Sequence, residues 1–106
     1  MGAAQFVPAE HAEFLGTPYA PKVLFDGEDL RCLVLSVEAG ARMSPHAADE
    51  LAVYVLQGEG SFTAGEEVFP LSPGRLVHCP AGVLHGLTAS SRLVLLLFLG
   101  RRREGK

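Results

Sequence analysis

From Lys22 onward the chain is built of short apolar runs separated by Gly, Pro and Asp clusters at near-regular intervals. That spacing is the mark of an all-β sandwich or barrel. The runs predict strands over residues 22–25, 31–37, 51–57, 61–64, 67–70, 75–79, 84–88 and 92–99. Asp26-Gly27-Glu28-Asp29 and Ala64-Gly65-Glu66 read as turns in which Gly supplies the positive φ of a tight hairpin. Ser72-Pro73-Gly74 is a third turn, with Pro fixing φ at its start. Ahead of the strands, residues 8–15 predict a short helix. Pro8 suits its first turn, Glu10 and Glu13 suit the positive end of its dipole, and Gly16 suits its C-terminal cap. His11 on this segment is expected to be a solvated surface residue.

The last predicted strand departs from simple alternation. Leu93-Val94-Leu95-Leu96-Leu97-Phe98-Leu99 is apolar on both faces, so something must cover its outer side. In a domain this small a second subunit is the expected cover, which makes the chain a homodimer. An N-terminal strand at 22–25 that pairs with the neighbour would also protect a sheet edge.

Composition narrows the class. A chain of 106 residues forms one domain, divided here into an N-terminal extension (1–21), a barrel (22–100) and a basic tail (101–106). The 48% hydrophobic content excludes a disordered chain. A net charge of −3, with scattered acids, gives no reason to expect nucleic acid as a partner. The start, Met1-Gly2-Ala3-Ala4-Gln5-Phe6, has neither the basic flank nor the apolar run of a signal peptide. The apolar run 93–99 is too short to span a bilayer. A cytoplasmic protein without membrane contact is therefore expected, with Cys32 and Cys79 as reduced thiols that pack as small hydrophobes. The tail Arg101-Arg102-Arg103-Glu104-Gly105-Lys106 reads as a solvated end.

Two segments carry a family signature. Gly74-Arg75-Leu76-Val77-His78-Cys79-Pro80-Ala81-Gly82-Val83-Leu84-His85 resembles the second motif of the cupin superfamily, G-x5-P-x-G-x2-H-x3-N. Gly74, Pro80, Gly82 and His85 fall in place, and Ala89 stands where the pattern has Asn. The stretch Gly40 to Gly58 is similar to the first motif, G-x5-H-x-H-x3,4-E-x6-G. His46 takes the first His position, Ala48 replaces the second, and Leu51 stands at the Glu position with Glu50 one residue away. The resemblance covers roughly residues 22–99 and implies a jelly-roll barrel, the double-stranded β-helix.

It also implies a site inside the barrel. In the family two His and a Glu of the first motif join the His of the second around a divalent ion. Here only His46 and His85 carry over. A first-row ion (Zn²⁺, Mn²⁺, Fe²⁺ or Ni²⁺) takes three or four protein ligands. Glu50, Asp49 and His78 are the candidates for the missing donor. Alternation sends His78 and Cys79 to opposite faces of their strand, so one of the two looks inward. Cys79 becomes a nucleophile only if a neighbouring His lowers its pKa. No phosphate-binding glycine loop and no serine triad arrangement is present. Two functional readings stand side by side. One is a small-molecule-binding barrel with a degenerate metal site and metal-assisted chemistry of isomerase or dioxygenase type. The other is a metal-free, non-catalytic ligand-binding or sensing module.

Overall fold

A computed structural model describes residues 2–101. The described residues form nine strands: β1 (Tyr19–Asp26), β2 (Leu30–Val37), β3 (Arg42–His46), β4 (Leu51–Gln57), β5 (Gly60–Ala64), β6 (Glu67–Leu71), β7 (Leu76–Cys79), β8 (His85–Ala89) and β9 (Leu93–Gly100). They assemble into a five-stranded sheet, β1-β2-β9-β4-β7, facing a four-stranded sheet, β3-β8-β5-β6. Every pairing is antiparallel. The all-β expectation holds, with one strand added and the others extended or trimmed by a few residues.

The core lies between the sheets and follows alternation. Leu33, Leu35 and Val37 of β2, Leu93 and Leu95 of β9, Val53 and Val55 of β4 and Phe62 of β5 all point inward and are buried. Burying side chains of this size stabilises the fold by about 1.5–3 kcal/mol each.

β2 is buried on both faces, because Cys32, Val34 and Ser36 on its outer side are as inaccessible as its inward residues. The cover over this part is the chain's own N-terminal segment. The Glu13 amide donates to Ser36 Oγ at 2.9 Å. Phe14 lies beneath the Arg92 guanidinium at 4.5 Å, and Glu38 holds that guanidinium at 3.0 and 3.2 Å. Phe6 stacks on Phe25 with ring centroids 6.2 Å apart. Part of the outer face assigned to a second subunit is thus covered within one chain.

Four expectations are corrected. Residues 8–15 do not form a helix: a single 3-10 turn, Pro8–His11, ends at Ala12, which is extended. The acids and Pro8 start a turn, but four residues cannot close enough hydrogen bonds to propagate one. His11 is half-buried, edge-on to Phe6, and its Nδ1 is occluded with no hydrogen-bond partner among the described residues. The stretch 42–46, which no predicted strand includes, is strand β3, and β1 begins at Tyr19 rather than Lys22. Beyond Arg101 the basic tail lies outside the described residues. Among the described residues no helix is long and apolar enough to cross a membrane.

Candidate functional site

The Pro80-Ala81-Gly82 turn aims β8. Gly82 takes φ of +83°, a left-handed conformation that glycine adopts without steric cost. Its amide donates to the Ala48 carbonyl at 3.0 Å, tying the turn to the loop between β3 and β4. β8 then starts at His85, opposite His46 of β3 on one side and Ala64 of β5 on the other.

Two local features bring the histidines together. A Cβ on Gly86 would sit 2.6 Å from the Met43 carbonyl, so only glycine lets β3 approach β8 this closely. The register of that pair also shifts between Met43 and His46. Strict alternation would send these residues, three apart, to opposite faces. The bulge turns both toward one pocket, which both line, with His46 still exposed at its open side. His46 thus enters from the end of a strand that lay outside the predicted ones. The ring centroids of His46 and His85 lie 4.5 Å apart, and Phe62 stacks nearly parallel on His85 at 5.8 Å.

Each ring has one nitrogen engaged. His85 Nδ1 lies 3.3 Å from the Val83 carbonyl, and His46 Nδ1 lies 3.3 Å from the Ser44 carbonyl. A carbonyl only accepts, so Nδ1 carries the donated proton in both rings and Nε2 is left for the pocket. His85 is 6% exposed, and burial pushes its pKa below the ordinary value. The bond to Val83 opposes that shift, and the like charge of His46 adds to it. At neutral pH the His85 Nε2 is therefore a hydrogen-bond acceptor in an apolar setting.

The pocket has a volume of about 210 Å³ and its wall is apolar apart from the two histidines, with Leu33, Leu35, Met43, Val53, Leu87 and Leu97 among the lining residues. Ala48 and Leu51, the residues at two of the family's ligand positions, line it as well.

The remaining predicted site residues lie elsewhere. Cys79 is the inward residue of its pair, fully buried in the core, and His78 faces outward. On that outer face His78 Nε2 meets Glu50 Oε2 at 2.5 Å, with both side chains well exposed. Glu50 and His78 therefore bond to each other on the opposite side of the sheet from His46 and His85. Asp49 sits in the exposed loop at the pocket's rim. Burial raises the Cys79 thiol's pKa, and its polar contact is the Val83 carbonyl at 4.0 Å, so it is no activated nucleophile.

This donor set does not suit a resident divalent ion. Two imidazoles converge, the third and fourth positions are alkyl, and a first-row ion takes three or four protein ligands. Among the described residues no group of three or more His, Cys, Asp or Glu is placed to hold a metal. Sequence reasoning missed two residues near the pocket. Phe62 buttresses His85, and Arg31 sits at the mouth. Extending the inward alternation of Leu35 and Leu33 back by two residues would have found Arg31.

The family model described as "Cupin domain" matches residues 33–99. Among solved structures, the chain resembles KdgF from Halomonas sp., with 27% identity, 97% of each chain covered and a TM-score of 0.79. It is similar to TT1209 from Thermus thermophilus at 25% identity, covering 89% of this chain and 94% of that one, with a TM-score of 0.78. A conserved protein of unknown function, SPY1581 from Streptococcus pyogenes, shares the fold at 21% identity and a TM-score of 0.82, covering 97% of this chain and 91% of that one. A search of curated proteins found no significant match.

Proposed function

The chain belongs to the cupin domain family, and on that premise we propose that it binds a small, largely apolar molecule between its sheets, without a resident metal ion. His46 and His85 are the polar anchors of this pocket. The observation that carries the reading is the pairing of two imidazoles with alkyl residues at Ala48 and Leu51, all lining one apolar cavity. Two Nε2 atoms facing an apolar wall suit a ligand that presents a hydroxyl donor on a hydrophobic body. A neutral imidazole accepts that proton, and the dry wall strengthens the bond. A site of this kind serves a carrier or a sensing module. It becomes catalytic only if a third donor or a reactive ligand is supplied.

The test uses chelator-dialysed protein, with p-cresol and Zn²⁺ as separate calorimetric titrants. We expect p-cresol to bind with or without Zn²⁺, and to bind less well to His85→Leu. Zn²⁺ should bind weakly to the wild type and far more tightly to Leu51→Glu, which adds a carboxylate inside the pocket. Tight stoichiometric Zn²⁺ binding to the wild type, lost in both His46→Ala and His85→Ala, would overturn this reading in favour of metal-assisted chemistry. Absence of both p-cresol and metal binding would overturn it equally.

A further inference from the structure

A second hollow adjoins the apolar pocket. Ala48 and Leu99, which line the pocket, also line this hollow of about 230 Å³ with Arg31, Asp49, Gly100 and Arg101. Alternation explains why Arg31 is there. It shares the inward face of β2 with Leu33 and lies two residues before it, roughly 7 Å further along the strand. In the register of the sheet it stands opposite Leu99.

The charges at this mouth are not equivalent. The Arg101 guanidinium is engaged by Asp26. Arg31 and Asp49 line the same hollow, yet neither forms an ion pair with any described residue. An unpaired guanidinium presents a planar fork of donors that matches a carboxylate. Placed beside an apolar cavity, such a group can hold the charged end of a molecule whose body lies inside.

Resting on the ligand-pocket reading, we infer that the ligand is a small hydroxylated carboxylic acid with an apolar body. Its hydroxyl donates to Nε2 of the histidine pair, its body fills the inner pocket, and its carboxylate meets Arg31 in the outer hollow. Size supports a single ring, because a cavity of roughly 150 Å³ already admits benzene. The inner pocket, at about 210 Å³, holds one ring with a short substituent. Asp49 opposes the carboxylate from the same mouth, which supplies a control of opposite sign.

The test compares 4-hydroxyphenylacetate with its uncharged amide by calorimetric titration into the full chain. The acid should bind the wild type about fivefold more tightly than the amide at low salt, as suits one exposed charge pair. Added salt should shrink that advantage. Arg31→Gln should bring the two affinities together, and Asp49→Asn should widen the gap. Equal binding of acid and amide to the wild type overturns the inference and leaves the pocket reading standing. So does an acid preference that survives Arg31→Gln. If neither compound binds, both readings fall.

Discussion

Acidification should destabilise this protein through His85, and the sign follows from where the ring sits. In the unfolded chain His85 takes up a proton near its ordinary value of 6.5. In the folded chain burial pushes that value down, and the like charge of His46, with ring centroids 4.5 Å apart, pushes the same way. Between the two values the unfolded state holds more protons, so stability falls as the pH drops through that window. Above the ordinary value both states are neutral at His85 and the residue contributes no slope. Below the folded value both are protonated and the slope ends. A difference of one bound proton gives at most about 1.4 kcal/mol per pH unit, against a total stability of about 5–15 kcal/mol for a domain. Urea unfolding of the wild type and of His85→Gln, from about pH 7.5 to about pH 5, isolates this residue from the other titrating groups. Gln keeps an amide donor for the Val83 carbonyl but does not titrate. The wild type should lose stability more steeply than the variant below about pH 6.5, with parallel curves above it. Parallel curves throughout would refute the reasoning. A wild type that gained stability on acidification relative to the variant would show that the folded ring finds an anionic partner.

Two further outcomes are expected. Leu76 is 65% exposed on edge strand β7, and with Tyr54 and Phe98 it continues the apolar outer face beyond the reach of the N-terminal segment. We propose that a second copy of the chain covers this strip and the unpaired edge of β7. Light scattering should then give about twice 11.3 kDa, and Leu76→Glu should halve it, whereas a wild-type monomer would sink the idea. Cys32 and Cys79 are both buried thiols whose pKa burial raises, so both should label slowly in the native protein and at a rate set by unfolding. Rapid native labelling of Cys79 alone would show that the thiol is reactive after all.

The fold was legible because its signals are local. Alternation in 31–37 and 51–57, with Gly and Pro turns between the runs, marks strands wherever one face is buried. The Pro80-x-Gly82 spacing likewise marks the turn that aims His85. β3 was not legible, since Arg42-Met43-Ser44-Pro45-His46 has no alternating apolar row and is mostly exposed. It is a strand because β8 offers it a ladder and Gly86 leaves room for it, and both are tertiary facts. The N-terminal segment failed in the same way. Its helix-like composition loses to contacts with β2 and Arg92, which hold residues 13 and 14 over the sheet.

The candidate site divides along the same line. His85 could be placed from the sequence because a turn just upstream fixes its direction. The fate of Glu50 and His78 hung on which faces of β4 and β7 look inward, and for β7 alternation alone leaves that choice open. Leu51 pairs with Cys79 and faces inward, so Glu50 and His78 fall on the outer side, where solvent lets them bond to each other. Sliding β4 by one residue against its neighbours would flip its faces, burying the Glu50 carboxylate in an apolar cavity and exposing Leu51 and Val53. Burying an ionised group without full pairing costs several kcal/mol, and exposing two large aliphatics loses about 1.5–3 kcal/mol each. The register is therefore held by the hydrophobic row of β4. That row also fills the ligand position at Leu51 with alkyl carbon, so the packing that secures the fold shapes the pocket for an apolar guest.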